Sequence, residues 1–155
     1  MKIQEFNKER AGWRPTMEEV ADFLDTQQLG TLATLGPNGQ PQAARVAFSQ
    51  NRQLELIIGT DEHSRKALNI EADPRVAYEV TDSQKRYTFQ FEGMARRLSS
   101  EEFEPRAEEH FRKLPGSLPF KDIEGQVYFL LEPVWARFSD CNPHPWVLTE
   151  FRFDD

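Results

Sequence analysis

Three short β-prone runs follow one another with only polar turns between them, and this order constrains the fold more than any other feature. The runs are TLATL at residues 31–35, AARVAF at 43–48 and LELII at 54–58. The segments between them, GPNG at 36–39 and SQNRQ at 49–53, are typical of turns. Strands joined by such short turns pair antiparallel, because a parallel pair needs a long crossover connection. The sequence therefore predicts an antiparallel sheet.

The second half of the chain adds further strand signals. Residues 75–80 are β-rich, and residues 87–95 alternate aromatic with polar side chains, which indicates one buried face and one face open to water or a ligand. Residues 127–138 form a long apolar run in which Pro133 marks a bulge or an edge, and residues 146–153 form a closing strand. Closure removes exposed strand edges. We therefore expect a mainly β fold, a six-stranded antiparallel barrel with peripheral α-helices.

Hydroxyl side chains that can cap a helix precede three segments with a helical pattern, and they are Thr16, Ser64 and Ser99. The first helix is expected over about residues 16–28. The second ends near residue 72, because Pro74 disfavours helical geometry in the residue before it. The third carries an apolar stripe that consists of Phe103, Ala107, Phe111 and Leu114.

Length and charge limit the classes of protein that the chain can belong to. A chain of 155 residues fits a single domain over residues 1–155, with the first helix followed by the barrel over about 29–153. Its 26 acidic residues against 19 basic ones give a net charge of -7. Nonspecific nucleic-acid binding needs clustered cations, so we expect no nucleic-acid partner.

Neither a membrane segment nor a metal site is indicated by the sequence. The start, MKIQEFNK, has no apolar core of signal-peptide length, and the longest apolar run, residues 127–131, is too short to span a bilayer. A single cysteine, Cys141, excludes an intrachain disulfide. The three histidines are not spaced like zinc ligands. We expect a cytoplasmic protein without a membrane partner or a bound metal.

One short segment carries the most distinctive chemistry. In GTDEHSRKALN, residues 59–69, the side chains of Ser64, Arg65 and Lys66 fall where an apolar strand gives way to a helix. The start of a helix has free backbone N–H groups and a partial positive charge, so these residues predict a phosphate site. The alternative is that the two cations are only a solvated helix surface.

With this order of elements, the chain resembles the FMN-binding split-barrel family typified by pyridoxamine 5'-phosphate oxidase. The resemblance runs from about residue 29 to residue 98 and continues more weakly through residues 127–138. It rests on Thr60 followed by SRK at 64–66, LN at 68–69 and DPRV at 73–76, and on LAT at 32–34, PNG at 37–39 and ARVAF at 44–48.

The resemblance implies roles for individual residues in binding FMN, which we expect as the cofactor. Arg65 and Lys66 would be cation partners of the FMN phosphate, where the guanidinium can bind bidentately and the ammonium acts as a point charge. Ser64 would add a hydroxyl or cap the helix, and Thr60 would supply a hydroxyl at the strand end. Arg45 would contact phosphate or ribityl oxygens.

The same resemblance extends the site along two strands and into a second subunit. Val46 and Ala47 would present backbone groups to the flavin. In this family a homodimer completes the site, which lies at the subunit interface, and Thr88 or Gln90 would contribute a polar side chain. Which of the two faces the cofactor stays open, because a one-residue change of register exchanges the faces. Trp146 resembles the aromatic residues that relatives bring toward the partner's flavin.

Structural alternatives remain for several of these residues. Arg45 can be an ordinary outward strand residue, Thr60 can simply end a strand, and Ser64 can serve only as a helix cap. Trp146 can be a core or dimer-interface anchor.

The resemblance implies a flavoprotein oxidoreductase that acts on a small molecule through FMN. Vitamin B6 oxidation is not implied, because residues 142–146 and the lone Arg152 depart from the Arg-rich C-terminal element with which the oxidases hold their substrate. Two alternatives stay open. One is a noncatalytic flavin or haem binding or sensing protein, in which His63 or His144 would be an axial ligand. The other is a deazaflavin-dependent reductase on the same fold.

Overall fold

One curled antiparallel sheet organises residues 12–153, which are the residues that the computed structural model describes. Its strands are β1 Leu29–Leu35, β2 Pro41–Ala47, β3 Ser49–Gln50, β4 Leu56–Asp61, β5 Arg75–Asp82, β6 Tyr87–Arg97, β7 Gln126–Asp140 and β8 Val147–Arg152. The helices are α1 Met17–Asp25, α2 Arg65–Ala72 and α3 Ser100–Lys113, and 3-10 turns occupy Pro37–Gly39 and Pro115–Phe120. The strand order is β2-β1-β5-β6-β7-β4-β3, and β8 pairs with β7.

The two edges of this sheet are joined by one stretch of chain. Strand β2 pairs with β1 at one edge, β3 pairs with β4 at the other, and only Phe48 lies between β2 and β3. The sheet must therefore curl until its edges meet, which produces a partly closed barrel. Since β2 and β3 act as one interrupted strand and β8 lies outside the ring, the barrel has six strands. The predicted mainly β split barrel is confirmed.

The longest strand contains the bulge that Pro133 predicts. In the pairing of β6 with β7, Glu92 lies opposite Trp135 and Gly93 lies opposite Pro133, so Val134 has no partner residue. Proline cannot donate a ladder hydrogen bond, which is why the irregularity falls here. A Cβ atom at Gly93 would clash with the backbone of β7. Only glycine allows this close approach.

All three helix starts are confirmed by their caps. The side chains of Thr16 and Ser99 each accept the backbone N–H three residues on. The carboxylates of Glu19 and Glu102 accept the backbone N–H of Thr16 and Ser99 in turn, which completes two capping boxes. Ser64 caps α2 alone. Helix α1 ends at Asp25 rather than near residue 28, because residues 26–28 form the turn that leads into β1.

Strand β4 begins two residues later than the apolar run 54–58 predicts. Leu54 has a φ of 62°, in the left-handed region, and so cannot belong to a strand. The turn before it is held by Asn51, whose side-chain oxygen accepts the N–H groups of Gln53 and Glu55. The apolar side chain of Leu54 is nevertheless fully buried. Hydrophobicity alone could not separate this turn residue from the strand.

Two apolar clusters lie on opposite sides of β4 and β7. One fills the barrel, and the second packs the outer side of these strands against α3; its members are Ile57, Leu98, Phe103, Ala107, Phe111, Tyr128 and Leu130. The predicted apolar stripe of α3 is therefore confirmed. Burial on both faces explains why these two strands read as continuous apolar runs. In the described part of the chain, no helix is long and apolar enough to cross a bilayer.

Candidate functional site

Three polar side chains converge where β4 ends and α2 begins. Thr60 Oγ1 lies 2.9 Å from Ser64 Oγ and 3.5 Å from Lys66 Nζ. Ser64 Oγ also accepts the backbone N–H of Ala67, at 3.3 Å, as the cap of α2. Arg65 stands beside them as the first, exposed residue of the helix. We call Thr60, Ser64, Arg65 and Lys66 the α2 cradle.

The two cations of the α2 cradle are not neutralised by any carboxylate of the described residues. Within residues 12–153, neither forms an ion pair with a carboxylate, whereas Arg52 pairs with Asp22 at 2.6 Å and Arg75 with Asp73 at 2.7 Å. Two hydroxyls, a guanidinium, an ammonium and a helix N-terminus together form a donor set suited to a phosphate dianion. The residues present therefore fit the phosphate of FMN.

A buried amide fixes α2 against the first hairpin. Asn69 is 5% exposed, and its Nδ2 donates to Thr34 Oγ1 at 3.0 Å and to Gln42 Oε1 at 2.6 Å. These bonds tie α2 to both β1 and β2, so the cradle cannot shift without breaking them. Asn69 belongs to the motif that carries the family resemblance, but the sequence alone gave no role to it.

The predicted residues of β2 divide between different surroundings. Arg45 is exposed on the outer face of the sheet and lines a shallow groove with Thr31 and Glu79, separate from the α2 cradle. The side chain of Val46 points into the barrel, and its carbonyl accepts the hydroxyl of Tyr78 at 2.5 Å. The structure thus places Arg45 as an outward strand residue and does not join it to the cradle in one pocket.

A cavity of about 250 Å³ adjoins the α2 cradle, and we call it the Tyr128 cavity. Thr60 belongs to both, and Ala47 lies in the cavity wall, so two of the predicted site residues meet here. The other lining residues are Gly59, His110, Leu114, Ser117, Phe120, Gln126 and Tyr128. The end of α3 and the 3-10 turn after it therefore cover one side of this site.

Tyr128 is the least expected residue of the site. Its ring stacks on Phe103 with centroids 3.8 Å apart and planes 5° apart, and it meets the ring of His110 edge-on at 5.6 Å. The hydroxyl is buried and has no hydrogen-bond partner within residues 12–153. Burial raises the pKa of Tyr128, against the opposing effect of the neighbouring Gln126 amide, so the phenol stays protonated at neutral pH. The run at residues 127–131 signals burial, but nothing in it signals an unpaired hydroxyl.

His110 links the Tyr128 cavity to a second buried polar side chain, Ser49. Its Nδ1 lies 2.6 Å from Ser49 Oγ. Burial, and then the charge of Lys113, lower the pKa of His110 to about 4, so the imidazole is neutral near pH 7. Its spacing from Ala107 and Leu114 places it on the apolar side of α3, which is the signal that could have found it.

Lys113 is buried close to His110. Its Nζ donates to the carbonyl of Leu24 at 3.0 Å and to Gln50 Oε1 at 2.5 Å. Burial lowers the pKa of Lys113 to about 7, against the opposing effect of Asp25. This lysine ties α1 and β3 to α3, and it does not line the Tyr128 cavity.

The two candidates on β6 lie on one face of the sheet. Phe89 and Phe91 point into the barrel, and the residues that alternate with them, Thr88 and Gln90, both point outward. Residues two apart on a strand share a face, so a change of register does not distinguish Thr88 from Gln90, and which of them contacts the cofactor stays a prediction. Both lie on the same outer face as Arg45.

The remaining candidates lie on the surface of the single chain. Trp146 is 54% exposed in the loop before β8 and lines neither the Tyr128 cavity nor the groove of Arg45. The side chain of His63 is 81% exposed, and His144 is exposed as well. Within the described residues, no group of three or more His, Cys, Asp or Glu side chains could hold a metal ion.

Comparisons with known proteins agree with this architecture. No curated protein matches the sequence. Among solved structures, a haem-binding protein from Mycobacterium smegmatis has a TM-score of 0.76 at 18% identity, over 90% of this chain and 59% of that one. The present chain thus spans less than two thirds of that protein. A pyridoxamine 5'-phosphate oxidase-related, FMN-binding protein from Nostoc punctiforme PCC 73102 has a TM-score of 0.68 at 19% identity, over 90% and 87% of the two chains.

A third structure has higher identity. It is a conserved hypothetical protein from Mycobacterium tuberculosis, 27% identical over 85% of this chain and 89% of that one, with a TM-score of 0.69. At under 25% identity, the first two structures show the fold alone. The family model for pyridoxamine 5'-phosphate oxidase matches residues 16–139, which is well over half of the sequence. The chain therefore belongs to the pyridoxamine 5'-phosphate oxidase family.

Proposed function

We propose that this protein binds FMN noncovalently, with the phosphate held in the α2 cradle. The observation that carries the proposal is the convergence of Ser64 Oγ and Lys66 Nζ on Thr60 Oγ1, at 2.9 and 3.5 Å, beside an Arg65 that has no carboxylate partner among the described residues. Ser64 and Thr60 hold each other in place, so their hydroxyls are positioned before a ligand arrives. Asn69 keeps α2 in register with the hairpin.

A homodimer with the cofactor at its interface is part of the same proposal. The outer face of the sheet presents Arg45, Thr88 and Gln90 around the small side chains Ala33 and Ala77, which would allow another chain to approach closely. A partner seated there could bring polar groups and the exposed Trp146 toward the flavin. Residues of both subunits would then exclude water from it.

When bound, FMN supplies hydride or electron transfer, and we propose that the protein is an oxidoreductase acting on a small molecule. The chain's own residues would bind the phosphate, position the ring beside Ala47 and limit access through the covering turn Pro115–Phe120.

Haem binding is a second candidate, which a solved relative described as a haem-binding protein favours. The side chain of His63 is 81% exposed, directly before Ser64 of the α2 cradle, and would be the residue that holds the haem iron. It lies within 4 Å of the carboxylates of Asp61 and Glu62. A deazaflavin would use the same phosphate site as FMN.

The phosphate assignment is tested by FMN titration of the variant Arg65→Ala/Lys66→Ala. Each lost charge-assisted hydrogen bond should cost about 1.5–3 kcal/mol, so FMN affinity should fall at least about a hundredfold. A matched control, Arg52→Ala/Lys85→Ala, removes the same charge from exposed positions outside the cradle and should leave the affinity within about threefold. Unchanged affinity in the cradle variant, with its fold intact, would refute the assignment.

A further inference from the structure

The unpaired hydroxyl of Tyr128 has a fixed position. The ring is stacked on Phe103, and a Cβ atom at Gly59 would lie 2.8 Å from it, so only glycine leaves the room that the ring occupies. Tyr128 is 8% exposed, and its hydroxyl is buried without a partner. A buried hydroxyl that makes no hydrogen bond lowers stability. Within residues 12–153, no group accepts the proton of this hydroxyl, which leaves it available as a donor.

The lining of the Tyr128 cavity defines what that partner can be. Within residues 12–153, the polar side chains that line it besides Tyr128 are all neutral. They are the hydroxyls of Thr60 and Ser117, the amide of Gln126 and the uncharged imidazole of His110. Leu114 and Phe120 provide apolar walls. No charged side chain of the described residues lines the cavity, and the nearest cation of the α2 cradle, Lys66, contacts Thr60 from outside this lining. A charged ligand would therefore exchange its hydration for neutral groups, which is unfavourable. The cavity therefore favours an uncharged ligand.

We propose that the Tyr128 cavity is a binding subsite for an uncharged carbonyl compound, whose oxygen accepts a hydrogen bond from Tyr128 Oη. The phenol is a donor because it stays protonated, and a carbonyl oxygen is an acceptor that needs no charge compensation. Ala47 and Thr60 belong to the cavity wall, so a compound bound there would lie next to the flavin. That last step rests on the proposed function, whereas the binding itself does not.

The test titrates 2-cyclohexenone into the protein without FMN and follows the complex by ligand-observed NMR. The dissociation constant should rise about tenfold in Tyr128→Phe, since one hydrogen bond is lost while the stacked ring is kept. The control variant Thr149→Val removes another buried hydroxyl without a partner, on β8, and should bind the enone as the unmodified protein does. Cyclohexanecarboxylate should bind at least tenfold more weakly than the enone. Thermal unfolding of each variant checks that it is folded.

Four results would decide the matter. Equal enone affinity in Tyr128→Phe and the unmodified protein, or no saturable binding, would overturn the subsite. Competition between FMN and the enone would also overturn it, because the cavity would then be the place of the flavin, and the proposed function would stand. Enone binding that depends on Tyr128, in a protein that does not retain FMN, would support the subsite while the proposed function fails. Enone binding that persists alongside FMN supports both.

Discussion

Removal of the hydroxyl group from each of two buried tyrosines should change the free energy of unfolding in opposite directions. Tyr78 is 2% exposed, and its hydroxyl donates to the carbonyl of Val46 at 2.5 Å, directly beneath the β2 segment that carries Arg45. Tyr128 is 8% exposed, and its hydroxyl has no partner in the described chain. Replacement of each by phenylalanine keeps the ring and removes only the hydroxyl.

The expected magnitudes follow from these contacts. Tyr78→Phe loses one buried hydrogen bond and leaves a carbonyl with reduced pairing, which should lower the free energy of unfolding by about 2 kcal/mol. Tyr128→Phe removes a desolvated hydroxyl that donates no hydrogen bond within residues 12–153, so it should raise that free energy by about 1 kcal/mol. The two variants should therefore differ by about 3 kcal/mol, although the chemical change is identical.

Urea unfolding followed by circular dichroism measures this difference. With a slope of about 2 kcal/mol/M, the midpoint should fall by about 1 M in Tyr78→Phe and rise by about 0.5 M in Tyr128→Phe. An unchanged slope in both variants confirms that only stability has altered. If Tyr128→Phe proves as destabilising as Tyr78→Phe, the Tyr128 hydroxyl is hydrogen-bonded in the protein, and the Tyr128 cavity contains no free donor at this position.

Two further outcomes concern the packing around the site. His110, with its pKa lowered to about 4, stays unprotonated in the folded state while the unfolded chain binds a proton below about pH 6.5, so stability should fall by about 3 kcal/mol as the pH decreases through that window. His110→Asn keeps a hydrogen-bonding group for Ser49, and urea midpoints from pH 7 to pH 4 should show a smaller loss in it; parallel curves would contradict the assignment. Asn69→Ala should lower the unfolding free energy by about 2 kcal/mol and also weaken FMN binding, because α2 loses both links to the hairpin. Gln27→Ala is its half-exposed control, and equal effects of the two substitutions would refute a specific role for Asn69.

The elements of this fold were predictable where local signals agree with the tertiary structure. The caps at Thr16, Ser64 and Ser99 and the bulge at Pro133 depend on neighbouring residues, and all four were predicted from the sequence. The start of β4 was not, because Leu54 is apolar and buried yet adopts a left-handed turn conformation. Apolar patterning reports burial and not backbone dihedrals.

The candidate site was predictable only in part, for a similar reason. The α2 cradle lies within seven consecutive residues, so its convergence follows from one strand end and one helix start. The Tyr128 cavity joins β4, β7 and α3, whose approach depends on the curl of the whole sheet. His110 and Tyr128 could be predicted as buried, but not as neighbours. The separation of Arg45 from the cradle likewise depends on where β2 lies in the ring.

Retention of FMN through its phosphate can be measured in a single experiment. Purified protein is mixed with excess FMN, passed through a gel-filtration column, and its absorbance spectrum and elution volume are recorded. We expect the flavin bands to coelute with a species of dimer size, and riboflavin, which lacks the phosphate, not to be retained. Protein that elutes without flavin, or that retains riboflavin as well as FMN, would contradict this expectation.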